Sequence, residues 1–143
     1  MFLRTNSLPV SELTIDLIVT MGVDDDEEKA LSSVRAWATS QAATFDVWKT
    51  MPPAWEKFRP EFAAANSQYH LVDHLSRHAG HKQVVSDEFV KSVALAGTVE
   101  QCVARLKELV ELDIDRITFA LLSGGRMKHM EQLATEIIPA VNA

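Results

Sequence analysis

The stretch LTIDLIVTMGV, residues 13–23, constrains most strongly what this chain can fold into. It is apolar and rich in β-branched residues, with Ile15, Leu17, Val19 and Met21 on one face and Ile18 on the other. A strand that is apolar on both faces is covered on both, as strands of parallel sheets are. DDDEEKA follows directly, and acidic residues in a first turn favour the positive end of a helix dipole. The calcium-loop pattern is absent. The spacing of Leu31, Val34, Ala38, Phe45 and Trp48 predicts a helix over residues 26–49. Pro52 and Pro53, which cannot continue a helix, stop it.

The same alternation recurs. AWEKFRPEFAAA is a second, shorter helical piece, and a histidine-rich stretch ended by Gly80 follows. SVALAGT, residues 92–98, is a short apolar strand running into a turn. Thr98 and Gln101 form a T-x-x-Q capping box, so a helix starts at Val99. Val99, Val103, Leu106 and Val110 make its core face, with Cys102 beside them as a plain core residue. IDRITFALL is a third buried strand, SGGR turns the chain, and MKHMEQLATEIIPAV is a last helix. Strands that alternate with helices predict a parallel sheet with crossover helices. We expect an α/β fold whose three strands are parallel neighbours in chain order. We expect residues 1–143 to form a single domain, with a long helical insertion at about residues 50–90.

Composition narrows the function classes. The net charge of −6, with no basic cluster, argues against a nucleic-acid binder. The single cysteine allows no intrachain disulfide and fits a reducing compartment. The first residues lack the apolar core of a signal peptide. No apolar run approaches the roughly 20 residues that span a bilayer. The expectation is a soluble cytoplasmic protein.

Four of the five histidines fall in YHLVDHLSRHAGH, residues 69–81. On a helix, at about 100° per residue, His74 lies about 40° from His70 and His78 about 80°, with His81 between them. This is one narrow stripe beside Leu71 and Leu75. Histidines at i and i+4 bind zinc when a third ligand converges. The glutamate of an HEXXH helix is missing from HLVDH, and we expect no metal here. A solvated helix face and the rim of an active site both remain open.

ALAGTVEQCVARLKELVELDIDRITFALLSGGR, with the ending EIIPAV, resembles the C-terminal end of the luciferase-like monooxygenase family. These are flavin- or deazaflavin-dependent oxidoreductases on a (β/α)8 barrel. The first strand with GVDDDEEKAL resembles the family's sixth strand and the helix after it. DHLSRHAGHKQVVSDEFVKSVALAGT is similar to a linking segment of the deazaflavin-dependent branch. Where the family has a glycine before its last strand, this chain has Asp113. The resemblance implies the C-terminal three strand–helix units of a TIM-type barrel. The barrel is incomplete, because a whole one needs about 250 residues. The resemblance also implies an FMN or deazaflavin cofactor that does the redox chemistry on a small-molecule substrate. The alternative is a non-catalytic barrel remnant that binds a ligand or a partner.

Function in such a barrel sits at the carboxyl ends of the strands. Those positions are Met21, Gly22 and Val23; then Gly97 and Thr98; then Ser123, Gly124, Gly125 and Arg126. Paired glycines let backbone N–H groups approach an anion ahead of a helix N-terminus, and Arg126 could pair with a phosphate or carboxylate. The same glycines could simply make a turn, and Thr98 could serve only as a cap. Gly97, Thr98, Ser123, Gly124, Gly125 and Arg126 are therefore the cofactor-binding candidates. Under the resemblance, His70 and His74 become catalytic candidates facing flavin or substrate. Most of the family's flavin contacts come from earlier strands, so the isolated chain should bind the cofactor weakly or not at all. A cut barrel leaves its first and last strands as edges and its inner face open. That implies a homo-oligomer, or association with the missing units.

Overall fold

Residues 16–23 form the centre of the sheet rather than an edge. The computed structural model describes residues 13–68, 84–122 and 124–143. Its elements in chain order are β1 (Asp16–Val23), α1 (Glu27–Phe45), a 3₁₀ turn (Pro53–Phe58), α2 (Arg59–Gln68), α3 (Asp87–Val93), β2 (Ala94–Gly97), α4 (Val99–Val110), β3 (Arg116–Ala120), α5 (Arg126–Gln132), a π-helical turn (Leu133–Ile137) and α6 (Ile138–Val141). All strand pairs are parallel, as expected. Their order is β2-β1-β3, which corrects the expectation of neighbours in chain order.

The pairing supplies the reason. β2 has four residues and reaches only the carboxyl-terminal half of β1, from Thr20↔Ala94 to Val23↔Gly97. β3 takes the other half, from Asp16↔Arg116 to Thr20↔Ala120. Laid against β2, β3 would meet a strand too short to fill its ladder; against β1 it pairs along its whole length. The entry of β1 is clamped to that of β3. Ile15 N–H donates to Asp115 Oδ2 at 2.8 Å, and Ile15 O accepts from the amides of Asp115 and Arg116.

This order reverses the direction of travel across the sheet. Parallel crossovers are almost always right-handed, so a reversal sends successive helices to opposite faces. Packing agrees. Ala94 of β2 and its neighbour Ala96 lie in one cluster with α1, α2 and α3, where Leu31, Val34, Phe62, Phe89 and Val90 are buried. Val19, Met21, Val23 and Leu95 face the other way, against Cys102 and Leu106 of α4 and Leu133 and Ile137 of the last helical segment. The expected open inner face is therefore covered over the carboxyl half of β1. On the opposite face the amino half of β1 is not covered: Ile18 is 69% exposed.

Several boundaries moved for local reasons. α1 ends at Phe45 rather than near residue 49, because Phe45 folds back into an aromatic cluster with Trp48, Trp55, Phe62 and Phe89. Trp48 itself stays largely exposed. Ser92 and Val93 belong to α3, which runs straight into β2. The buried face of α4 is centred on Cys102 and Leu106, and Val110 lies half-exposed at its margin. Of the helical insertion expected over residues 50–90, the 3₁₀ turn, α2 and α3 are described. Arg35 ties them to α1 through the Val85 carbonyl at 2.8 Å and an ion pair with Asp87.

Candidate functional site

The carboxyl ends of all three strands meet at one end of the molecule, and their loops are tied to each other. The amide of Asp24, just past β1, donates to the carbonyl of Gly97 at the end of β2 (3.3 Å). Asp24 Oδ1 accepts from the Asp26 amide, and Asp26 caps α1 by accepting from the amides of Glu28 and Lys29. The acidic run thus serves the start of α1, as its position at the positive helix end suggested. Glu27 pairs with Lys91 of α3 at 2.5 Å. Hydrogen bonds from Lys91 first and Gln101 second hold its carboxyl below the ordinary range.

Gly97 and Thr98 are committed to the start of α4. The Thr98 hydroxyl accepts from the Gln101 amide, and the Gln101 side chain accepts from the Thr98 amide at 2.9 Å. Gly97 has φ +154, and a Cβ there would lie 2.4 Å from Gln101 Oε1. The space beside Gly97 is filled by the cap, which leaves no cradle for a ligand there.

The turn after β3 is built differently. Gly125 is the N-cap of α5 in the left-handed region, φ +80, with no side-chain cap. A Cβ on it would meet nothing within 4 Å. Gly124 is half-exposed, and Arg126 stands exposed at the head of the helix. Ser123, the first residue of SGGR, lies outside the described residues, as do His70, His74, His78 and His81 of the histidine stripe.

Sequence reasoning passed over His129 and Gln132. His129 of α5 is 5% exposed and hydrogen-bonds the backbone of Val23, the last residue of β1. Burial, the largest influence, pushes its pKa down; the Val23 bond and Asp24 push up, and Lys128 adds to the downward push. Gln132, one turn on, is also buried, and its Oε1 has no hydrogen-bond partner among the described residues. The only signal in the sequence was the spacing i, i+3 of two polar residues on an otherwise amphipathic helix. The π-helical turn begins at the next residue, and such turns are frequent at functional sites. Cys102 is no nucleophile: burial pushes its thiol up to about 12. Among the described residues no three His, Cys, Asp or Glu side chains are grouped to hold a metal ion.

The family model for luciferase-like monooxygenases matches residues 2–116. The chain belongs to the luciferase-like monooxygenase family. No curated protein matches this luciferase-like chain in sequence. Among solved structures it is similar to the coenzyme F420-dependent tetrahydromethanopterin reductase from Methanopyrus kandleri, with a TM-score of 0.66 and 14% identity. The likeness covers 90% of this chain and 36% of the reductase, so the chain spans about a third of the length of that structure. At that identity the likeness establishes the fold alone. It bears out the α/β class and a fold shared with part of a TIM-type barrel. None of the described helices is long and apolar enough to cross a membrane.

Proposed function

We propose that this chain forms part of the cofactor-facing end of a luciferase-like, flavin- or deazaflavin-dependent oxidoreductase acting on a small organic substrate in the cytoplasm. The family match carries this reading. The cofactor, when bound, supplies the hydride or oxygen chemistry. The contribution of this chain is a rim. Gly125 leaves open space beside half-exposed Gly124, and exposed Arg126 offers a bidentate cation to a phosphate or carboxylate of the cofactor. Gln132 Oε1 is a buried acceptor in need of a donor. The residues therefore fit an edge contact to the cofactor rather than a complete pocket. Gly97 and Thr98 contribute less, since their cap consumes them.

The test is amide NMR of the full chain titrated with FMN and, separately, with coenzyme F420. We expect weak saturable binding, with shifts at Gly124, Gly125 and Arg126 that shrink in Arg126→Ala. The cofactor giving the larger shifts identifies the branch. No response to either cofactor at these amides would sink the reading, and submicromolar binding by the chain alone would sink its edge-contact form. A second reading is a non-catalytic remnant that binds a ligand or partner. It predicts that catalysis is absent even with saturating reduced cofactor.

A further inference from the structure

We infer that two copies of this chain join their sheets through β3, antiparallel about Thr118. Among the described residues β3 has a strand neighbour only on the β1 side. The amide of Arg116 points to β1, where it bonds Ile15 O. Alternation along the strand then turns the amides and carbonyls of Ile117 and Phe119 outward, away from β1. Edge strands are ordinarily blunted by lysine, proline or a bulge. RITFA has no lysine or proline, and its one charge, Arg116, is paired with Asp16 at 3.7 Å. Ile18, 69% exposed, lies beside Thr118 in the β1–β3 register, on the uncovered face.

A second copy satisfies this edge without conflict. With Thr118 on the two-fold axis, Ile117 and Phe119 of each copy exchange backbone bonds with the partner's Phe119 and Ile117. All five residues of β3 are then paired. Arg116 lies across from the partner's Ala120, and Asp115 from the partner's Leu121, so no like charges oppose each other in a chain of net charge −6. Thr118 meets its own copy at a non-hydrogen-bonded position, where Cα atoms approach to about 4.5 Å and side chains are closest. The row Ile18, Thr118, then the partner's Thr118 and Ile18, forms one continuous stripe across a six-stranded sheet.

The experiment is sedimentation velocity of the full chain over a range of concentrations, with three variants. We expect a dimer. Thr118→Lys sets two ammonium groups against each other and should weaken association roughly tenfold or more with an unchanged circular dichroism spectrum. Thr118→Ser should keep the dimer. Thr118→Cys should form a disulfide-linked dimer on mild oxidation, read on a non-reducing gel, while buried Cys102 stays silent. A chain that is monomeric at every concentration overturns the inference. A dimer that Thr118→Lys leaves intact and Thr118→Cys fails to link overturns it too, because the copies then meet elsewhere.

Discussion

Two glycine turns end two strands of the same sheet, and they do opposite things. Gly97 lies under the side chain of Gln101, which closes the start of α4 with a reciprocal cap. Gly125 stands in the left-handed region with open space where its side chain would be. In the sequence both read as glycine before a helix, the pattern that could cradle an anion. The first is glycine because its backbone stands at φ +154 and a neighbouring side chain also fills the room beside it. The second is glycine because the backbone needs the conformation, and the room is left over for something else. A glycine before a helix therefore signals a ligand only once the space beside it is known to be empty.

The comparison can be broken at Gly97 first. Gly97→Ala drives a Cβ into Gln101 and removes the capping box together with the close turn. We expect a loss of about 2–3 kcal/mol in urea unfolding. A loss below half of that would mean that Gln101 swings away freely and the turn is not closed. Gly125→Ala meets no atoms and suffers only the left-handed backbone, so about 1 kcal/mol is expected. Thr98→Ala removes the cap alone, also about 1 kcal/mol, and its sum with the backbone strain should approach the Gly97→Ala loss. Arg126→Ala is expected within about 0.5 kcal/mol of wild type. A larger loss there would tie Arg126 to the fold rather than to a ligand.

The smallest effect sharpens the open turn. Its helix carries His129 back to the end of β1, where burial lowers the imidazole pKa. The folded pKa lies below the unfolded one, so the unfolded chain binds the proton more readily. Stability conferred by neutral His129 is present above the ordinary histidine pKa and is lost as pH falls from there towards the folded value. The urea midpoint should decline over that window, and the decline should be shallower in His129→Gln. The difference between the two profiles isolates His129 from the other four histidines. Equal slopes would show that His129 does not sense pH through burial. Cys102 gives an independent check, since a thiol pushed up to about 12 should resist a neutral-pH alkylating agent in the folded chain and react on unfolding.

Much of this was legible in the sequence. The period-two and helical spacings located all three strands and the long helices on either side of them, though not α3 as a separate element, and the T-x-x-Q at Thr98 specified its cap to the hydrogen bond. Local chemistry decides such features, because a cap is closed by residues three apart and a strand is set by the side chains that cover it. The order β2-β1-β3 was not legible. Apolar runs say that strands pair in parallel, but not which pair, and here the shortness of β2 left half of β1 free for β3. The covering of both faces by helices followed from that order. The contact between His129 and Val23 was equally out of reach, because 106 positions separate them along the chain. The sequence by itself determined the elements, their direction and the family. Only the tertiary structure decided which strand became the centre, which glycine stayed open, and which edge has no strand beside it among the described residues, because those depend on what lies beside each residue in space.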